Sequence, residues 1–134
     1  MPNLPDIHGS RILIVDDCRD TGSVLCELLA WMGYEHVAST TDGKVLLGAD
    51  GASRYGLVLL DMHLPGVGGL EIVRSLCGKE SRHCVPVIAI SGDQRYRTRA
   101  IEAGACAFLM KPFSQGDLEA TIFNALSSPC EHMV

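Results

Sequence analysis

Apolar residues follow two kinds of pattern in this chain, and the two alternate along it. Unbroken short runs occur at Arg11 to Val15 (RILIV), Gly56 to Asp61 (GLVLLD), Pro86 to Ile90 (PVIAI) and Cys106 to Met110 (CAFLM). They carry no helical stripe and are bounded by turn-forming or charged residues, so they predict buried strands. Pro86 is tolerable at a strand's first residue. Tyr34 to Ala38 (YEHVA) is a more polar run and suits the edge of a sheet.

Between the runs the spacing changes to that of a helix face. From Thr21, residues Val24, Leu25, Leu28, Leu29 and Met32 form one stripe, and Gly33 is placed to end it in a left-handed cap. Thr40 or Thr41 can cap a second helix through about Ala49, with Val45, Leu46 and Ala49 inward, although Gly43 and Gly48 weaken it. Pro65, Gly66, Gly68 and Gly69 force a turn after Asp61, and Leu70 to Leu76 resume helical spacing until Gly78. Residues 79–84 read as a polar loop. A fourth helix is expected over Gln94 to Ala103, ended by Gly104. Ser114 caps a fifth, with Phe113 and Leu118 as a hydrophobic staple and Leu118, Ile122 and Leu126 as its stripe.

Five strands alternating with five helices imply a parallel sheet covered on both faces. Right-handed crossovers leave few topologies. The expected fold is therefore α/β, a doubly wound five-stranded parallel sheet of order 2-1-3-4-5 with a flavodoxin-like layout. Residues 11–127 would form one domain, with a flexible leader over 1–10 and a flexible tail over 128–134.

Bulk properties narrow the function. The 134 residues suit one core, and 47% apolar content can build it. A net charge of -5 argues against direct nucleic-acid binding. No apolar run approaches the ~20 residues that span a bilayer, and the N-terminus lacks a signal-peptide layout. The expectation is a soluble, cytoplasmic protein with no membrane partner. The six cysteines form no C-x-x-C, and several sit inside apolar periodic stretches, which suits buried thiols better than a disulfide frame or a zinc site.

Chemistry collects after the strands. Asp16 and Asp17 follow the first, Asp61 ends the third, Ser91 follows the fourth and Lys111 the fifth. In a parallel sheet these ends share one edge. An Asp there has a modest reading as a turn or cap residue. Several carboxylates crowded at one edge, however, repel unless a hard cation cancels them, and Mg²⁺ prefers oxygen ligands and phosphate. Ser91 and Lys111 are natural partners for phosphoryl oxygens. No histidine base, serine elbow or Gly-rich phosphate loop accompanies them, so the nucleophile candidate is a carboxylate, which can carry a phosphoryl group covalently.

LIVDD, LVLLDMHLPGVGG, VIAISG and FLMKPF, in this order and spacing from about Arg11 to Leu126, resemble the receiver domain of two-component response regulators. The resemblance implies a signalling domain, not an enzyme, that assists its own phosphorylation and loses the phosphate slowly. Asp61 would accept a phosphoryl group from a histidine kinase or a histidine phosphotransfer protein. Asp16, directly or through water, Asp17, Asp61 and the backbone carbonyl of His63 would hold Mg²⁺. Ser91 would bond the phosphoryl group and Lys111 would pair with it, next to a cis bond to Pro112. Ser91 and Phe108 would form the switch, altering the face of the fourth helix, fifth strand and fifth helix for an output partner not readable here. A phosphorylation-dependent dimer is compatible with the resemblance. His63 and Asp93 occupy variable positions that tune dephosphorylation in this family. Gly68 stands where an Asp often caps the third helix, and a glycine cap costs little.

Arg95, Arg97 and Arg99 alternate beside Tyr96 and read first as a solvated surface, second as part of a docking face. Two other classes fit less well. A haloacid-dehalogenase-like phosphatase wants Asp-x-Asp after its first strand, where this chain has Asp16-Asp17-Cys18. A flavodoxin-like electron carrier would need a phosphate loop where DDCRD would repel phosphate.

Overall fold

A computed structural model describes residues 7–47, 54–64, 66, 68–77 and 85–127 of the chain. Five strands lie side by side: β1 (Arg11–Val15), β2 (His36–Thr40), β3 (Leu57–Asp61), β4 (Val87–Ser91) and β5 (Ala107–Met110). Every pairing is parallel, and the order is β2-β1-β3-β4-β5, as the alternation of patterns predicts. The strand ends are in register across the sheet: Val15 lies opposite Leu60, Asp61 opposite Ile90, and Ser91 opposite Met110.

Period-two alternation divides the core in two. Leu13, Val15, Val58, Leu60, Val87, Ala89 and Phe108 face one side, where α2 (Gly69–Cys77) and α3 (Tyr96–Ala103) bring Ile72, Val73, Leu76, Ala100 and Ala103. Ile12, Ile14, Leu57, Leu59, Ile88, Ile90 and Leu109 face the other. There α1 (Arg19–Trp31) and α4 (Gln115–Ser127) bring Leu25, Leu29, Leu118, Ile122 and Ala125. Strands buried on both faces must read as continuous apolar runs, which is what β1, β3 and β4 do. Edge strand β2 has no fully buried residue.

Local chemistry sets the helix ends. Gly33 adopts φ 98° and Gly104 φ 118°, and each ends a helix in the left-handed region. Ser114 Oγ accepts the Asp117 N–H at 3.0 Å, so the expected cap of the last helix forms. Leu118 is buried and Phe113 packs beside the same core. Gly68 O accepts from the N–H groups of Glu71 and Ile72, so α2 starts from a glycine without a side-chain cap.

Several expectations shift. β2 starts two residues later than Tyr34, whose ring is buried and packs on His8. Within the expected leader, Ile7 is buried and His8 O accepts from Glu35 N. The second expected helix is, among the described residues, a single 3-10 turn over Gly43–Leu46. Its cap is Asp42, whose carboxylate accepts from Lys44 N at 2.9 Å, while Thr40 Oγ1 accepts from Asp42 N. Leu46 is buried there, but Val45 points outward. Gly43 packs closely on α2: a Cβ would meet the tip of Ile72, Cδ1, at 2.6 Å, so that side chain would have to shift. On α1, Leu25 and Leu29 reach the core and Val24 does not. The end of the second expected helix at Ala49, Pro65, the Gly78 stop, the loop over 79–84 and the tail over 128–134 lie outside the described residues. No helix among the described residues is long and apolar enough to cross a membrane.

Candidate functional site

The C-terminal ends of β1, β3, β4 and β5 converge on one rim, on either side of the point where the strand order reverses. Backbone bonds carry the ladder past the strands into this rim. Asp16 N donates to Thr40 O, Met62 N to Ile90 O at 2.9 Å, and Lys111 N to Ser91 O at 2.9 Å. The residues that follow the strands are thus held by the sheet itself.

Asp16, Asp17 and Asp61 each place a carboxylate oxygen within 4.8 Å of the others. Asp16 and Asp61 are each only 5% exposed, whereas Asp17 faces solvent. Lys111 Nζ stands 3.4 Å from Asp61 Oδ2 and 3.6 Å from Asp16 Oδ2. One ammonium against three carboxylates leaves the cluster short of positive charge. Burial pushes the Asp16 carboxyl above its ordinary range; the Cys18 N–H and Lys111 partly oppose this, and Asp61 and Asp17 add to it. A donor set made only of carboxylate oxygens, partly buried and under-neutralised, fits a hard divalent cation such as Mg²⁺.

Turn chemistry positions both buried acids. Asp16 Oδ1 accepts from Cys18 N at 2.8 Å, and Asp61 Oδ1 accepts from His63 N at 2.8 Å. Close packing does the rest for Asp61. A Cβ on Gly69 would sit 2.7 Å from Met62 Cα and 3.1 Å from Asp61 O, so α2 begins directly against the end of β3.

Ser91 is fully buried. Its Oγ accepts from Asp93 N at 2.9 Å and lies 2.9 Å from His63 Nε2. The His63 ring meets Tyr96 edge-on, centroids 4.8 Å apart. Asp93 pairs with Arg95 at 2.8 Å, and the Arg95 side-chain bond holds the Asp93 carboxyl down to about 2. Phe108 is buried on β5 under the Arg97 guanidinium, 5.0 Å from its ring centroid. The Lys111–Pro112 peptide is cis.

The structure therefore brings Asp16, Asp17, Asp61, Ser91, Lys111 and His63 to one rim, and sets Phe108 opposite Ala89, two residue pairs before the Ser91–Met110 pair. Two relations have no local signal in the sequence. The His63 ring reaches Ser91 across 28 residues. Arg95, Arg97 and Arg99 are all exposed, as a solvated surface requires, and the Arg97 guanidinium also lies over the Phe108 ring.

The family model described as response regulator receiver domain matches residues 12–123. The CAI-1 autoinducer sensor kinase/phosphatase CqsS of Vibrio cholerae is 35% identical over 108 residues, covering 78% of this chain and 16% of that protein. The transcriptional regulatory protein PcoR of Escherichia coli is 35% identical over 114 residues, covering 84% of this chain and 49% of that protein. This chain thus spans about half or less of these curated relatives. Among solved structures, the receiver domain of sensor histidine kinase PA1611 from Pseudomonas aeruginosa PAO1 superposes with a TM-score of 0.77 at 27% identity. The match covers 90% of this chain and 99% of that one, whose active site cleft coordinates a magnesium ion. The BeF3-activated DrrB receiver domain gives 0.74 at 29% identity, covering 90% and 99%.

Proposed function

This chain belongs to the response-regulator receiver-domain family of two-component signalling, and from that premise we propose that it is a phosphoacceptor switch in which Asp61 takes the phosphoryl group. The donor is a phosphohistidine on a histidine kinase or phosphotransfer protein. An Asp61 carboxylate oxygen bonds to phosphorus as the phosphorus–nitrogen bond breaks, and the electron pair returns to the imidazole nitrogen of the donor. Mg²⁺ bound by Asp16, Asp17, Asp61 and the His63 backbone carbonyl would neutralise charge on the phosphoryl oxygens.

The protein's own groups complete the site. Lys111, already 3.4 Å from Asp61 Oδ2, pairs with a phosphoryl oxygen once the carboxylate carries the phosphoryl group. Ser91 donates its hydroxyl to another. Those bonds exist in one state only, so phosphorylation biases the equilibrium between two arrangements of the rim. The face affected is α3, β5 and α4, with Phe108 as its buried aromatic. The output partner docks on that face. Self-phosphorylation and slow phosphate loss are properties of this same site.

The observation that carries the reading is the meeting of Asp16, Asp17 and Asp61 oxygens within 4.8 Å, with Lys111 as the adjoining cation. Acetyl phosphate with Mg²⁺ is expected to add one phosphoryl group, located at Asp61 by mass spectrometry. Asp61→Asn is expected to abolish it. Stable phosphorylation at another residue, or labelling that survives chelation of Mg²⁺, would overturn the assignment.

A further inference from the structure

We infer that the His63 imidazole is a positioning residue for Ser91, holding the hydroxyl proton that the phosphoryl group must win; the inference rests on the reading of Asp61 as phosphoacceptor. Ser91 Oγ already accepts from Asp93 N at 2.9 Å. Its hydroxyl has a single proton to donate. Among the described residues, the His63 Nε2 at 2.9 Å is the one acceptor placed to take it, with the imidazole proton then on Nδ1. A phosphoryl oxygen on Asp61 needs the same proton. The two acceptors exclude each other, so His63 stabilises the unphosphorylated arrangement by the worth of that hydrogen bond.

The release also has a direction. His63 sits edge-on against Tyr96, the first residue of α3. Its backbone N–H is tied to Asp61 Oδ1. One side chain therefore spans the acceptor loop, the Ser91 hydroxyl and the start of α3. When Ser91 turns to a phosphoryl oxygen, His63 loses its anchor and α3 loses a ring contact. This gives the site a second connection to α3, separate from Phe108.

Two measurements test the inference. In Mg²⁺-free, unphosphorylated protein, the nitrogen-15 NMR shifts of His63 are expected to show neutral imidazole with the proton on Nδ1, and to change on Ser91→Ala. A proton on neutral Nε2, or shifts indifferent to Ser91→Ala, would overturn the inference. The second is a double-mutant cycle on binding of beryllofluoride, a phosphoryl mimic, with Mg²⁺. His63→Ala is expected to tighten binding by about 3- to 10-fold, the worth of one ordinary hydrogen bond. The gain is expected to vanish in the Ser91→Ala background. A His63→Ala effect of equal size in both backgrounds, or none in either, would refute it. If wild-type protein takes neither beryllofluoride nor phosphate, the assignment of Asp61 fails instead, and the NMR result still decides where the Ser91 proton lies.

Discussion

Asp16 and Asp61 each divide their two carboxylate oxygens between two tasks. Oδ1 accepts a backbone N–H two residues on, and Oδ2 faces Lys111. A turn role for an Asp at a strand end and a place in the carboxylate cluster are therefore compatible, on different atoms. The turn bond fixes the side chain, so the second oxygen is aimed without further support. Burial has an energetic consequence for Asp16. Its carboxyl titrates above the ordinary 3.8 in the folded protein, chiefly through desolvation. Between those values the folded state binds more protons than the unfolded one, so stability falls as pH rises through that window. Asp16→Asn keeps the Oδ1 acceptor and removes the charge. We expect it to melt higher than wild type at neutral pH in EDTA, with the gap closing as pH drops toward 4. Thermal melts across that range check the sign, and a gap that widens on acidification would contradict it.

At the scale of elements, most helix ends are set by one residue each. Gly104 ends α3 at φ 118°, and a Cβ there would lie 2.7 Å from both Cys77 Cβ and Cys77 O. Backbone strain and overlap with the end of α2 act together. Gly104→Ala is expected to cost at least about 1–3 kcal/mol. Ser114→Ala removes a single cap bond and should cost about 1 kcal/mol. Urea unfolding of the two variants would test the ranking; equal midpoints would show that the Gly104 contact relaxes freely. The crossover between β2 and β3 shows the limit of local reasoning. Threonine capping and inward Val45 and Leu46 suggested a longer helix, yet the described part makes one 3-10 turn under Asp42. Gly43 lies close to the tip of Ile72, and its low helix propensity disfavours propagation from this turn.

At the scale of the molecule, the sheet has a rim that collects charge and two apolar faces that exclude it. Every strand end is held in parallel register, so the rim is preorganised before any ligand arrives. A cation that binds only the folded arrangement must stabilise it by mass action. Millimolar Mg²⁺ is expected to raise the melting temperature reversibly, with EDTA restoring the lower value. Asp17→Asn, at an exposed position that leaves the core untouched, is expected to lose most of that response. A full Mg²⁺ response in this variant would place the ion elsewhere.

How much of this was legible follows from the range of each interaction. Four apolar runs, their breakers and the polar edge strand are properties of short windows, because a strand buried on two faces must be apolar throughout. The strand order and the convergence of Asp16, Asp17, Asp61, Ser91 and Lys111 on one edge followed from alternation and crossover handedness. Side-chain partners across that edge did not. The Lys111 bond to Asp61 spans 50 residues and the His63 bond to Ser91 spans 28, and each depends on offsets of a few ångströms between elements. The outward turn of Val24, beside buried Leu25 and Leu29, is the same kind of result: periodicity names a face, and packing selects which of its members reach the core. The sequence by itself determined which segments form strands and which residues share their ends, since those depend on hydrophobic pattern and chain direction. Only the tertiary structure decided which oxygen meets which donor, because hydrogen bonds are set by distances that no local pattern encodes.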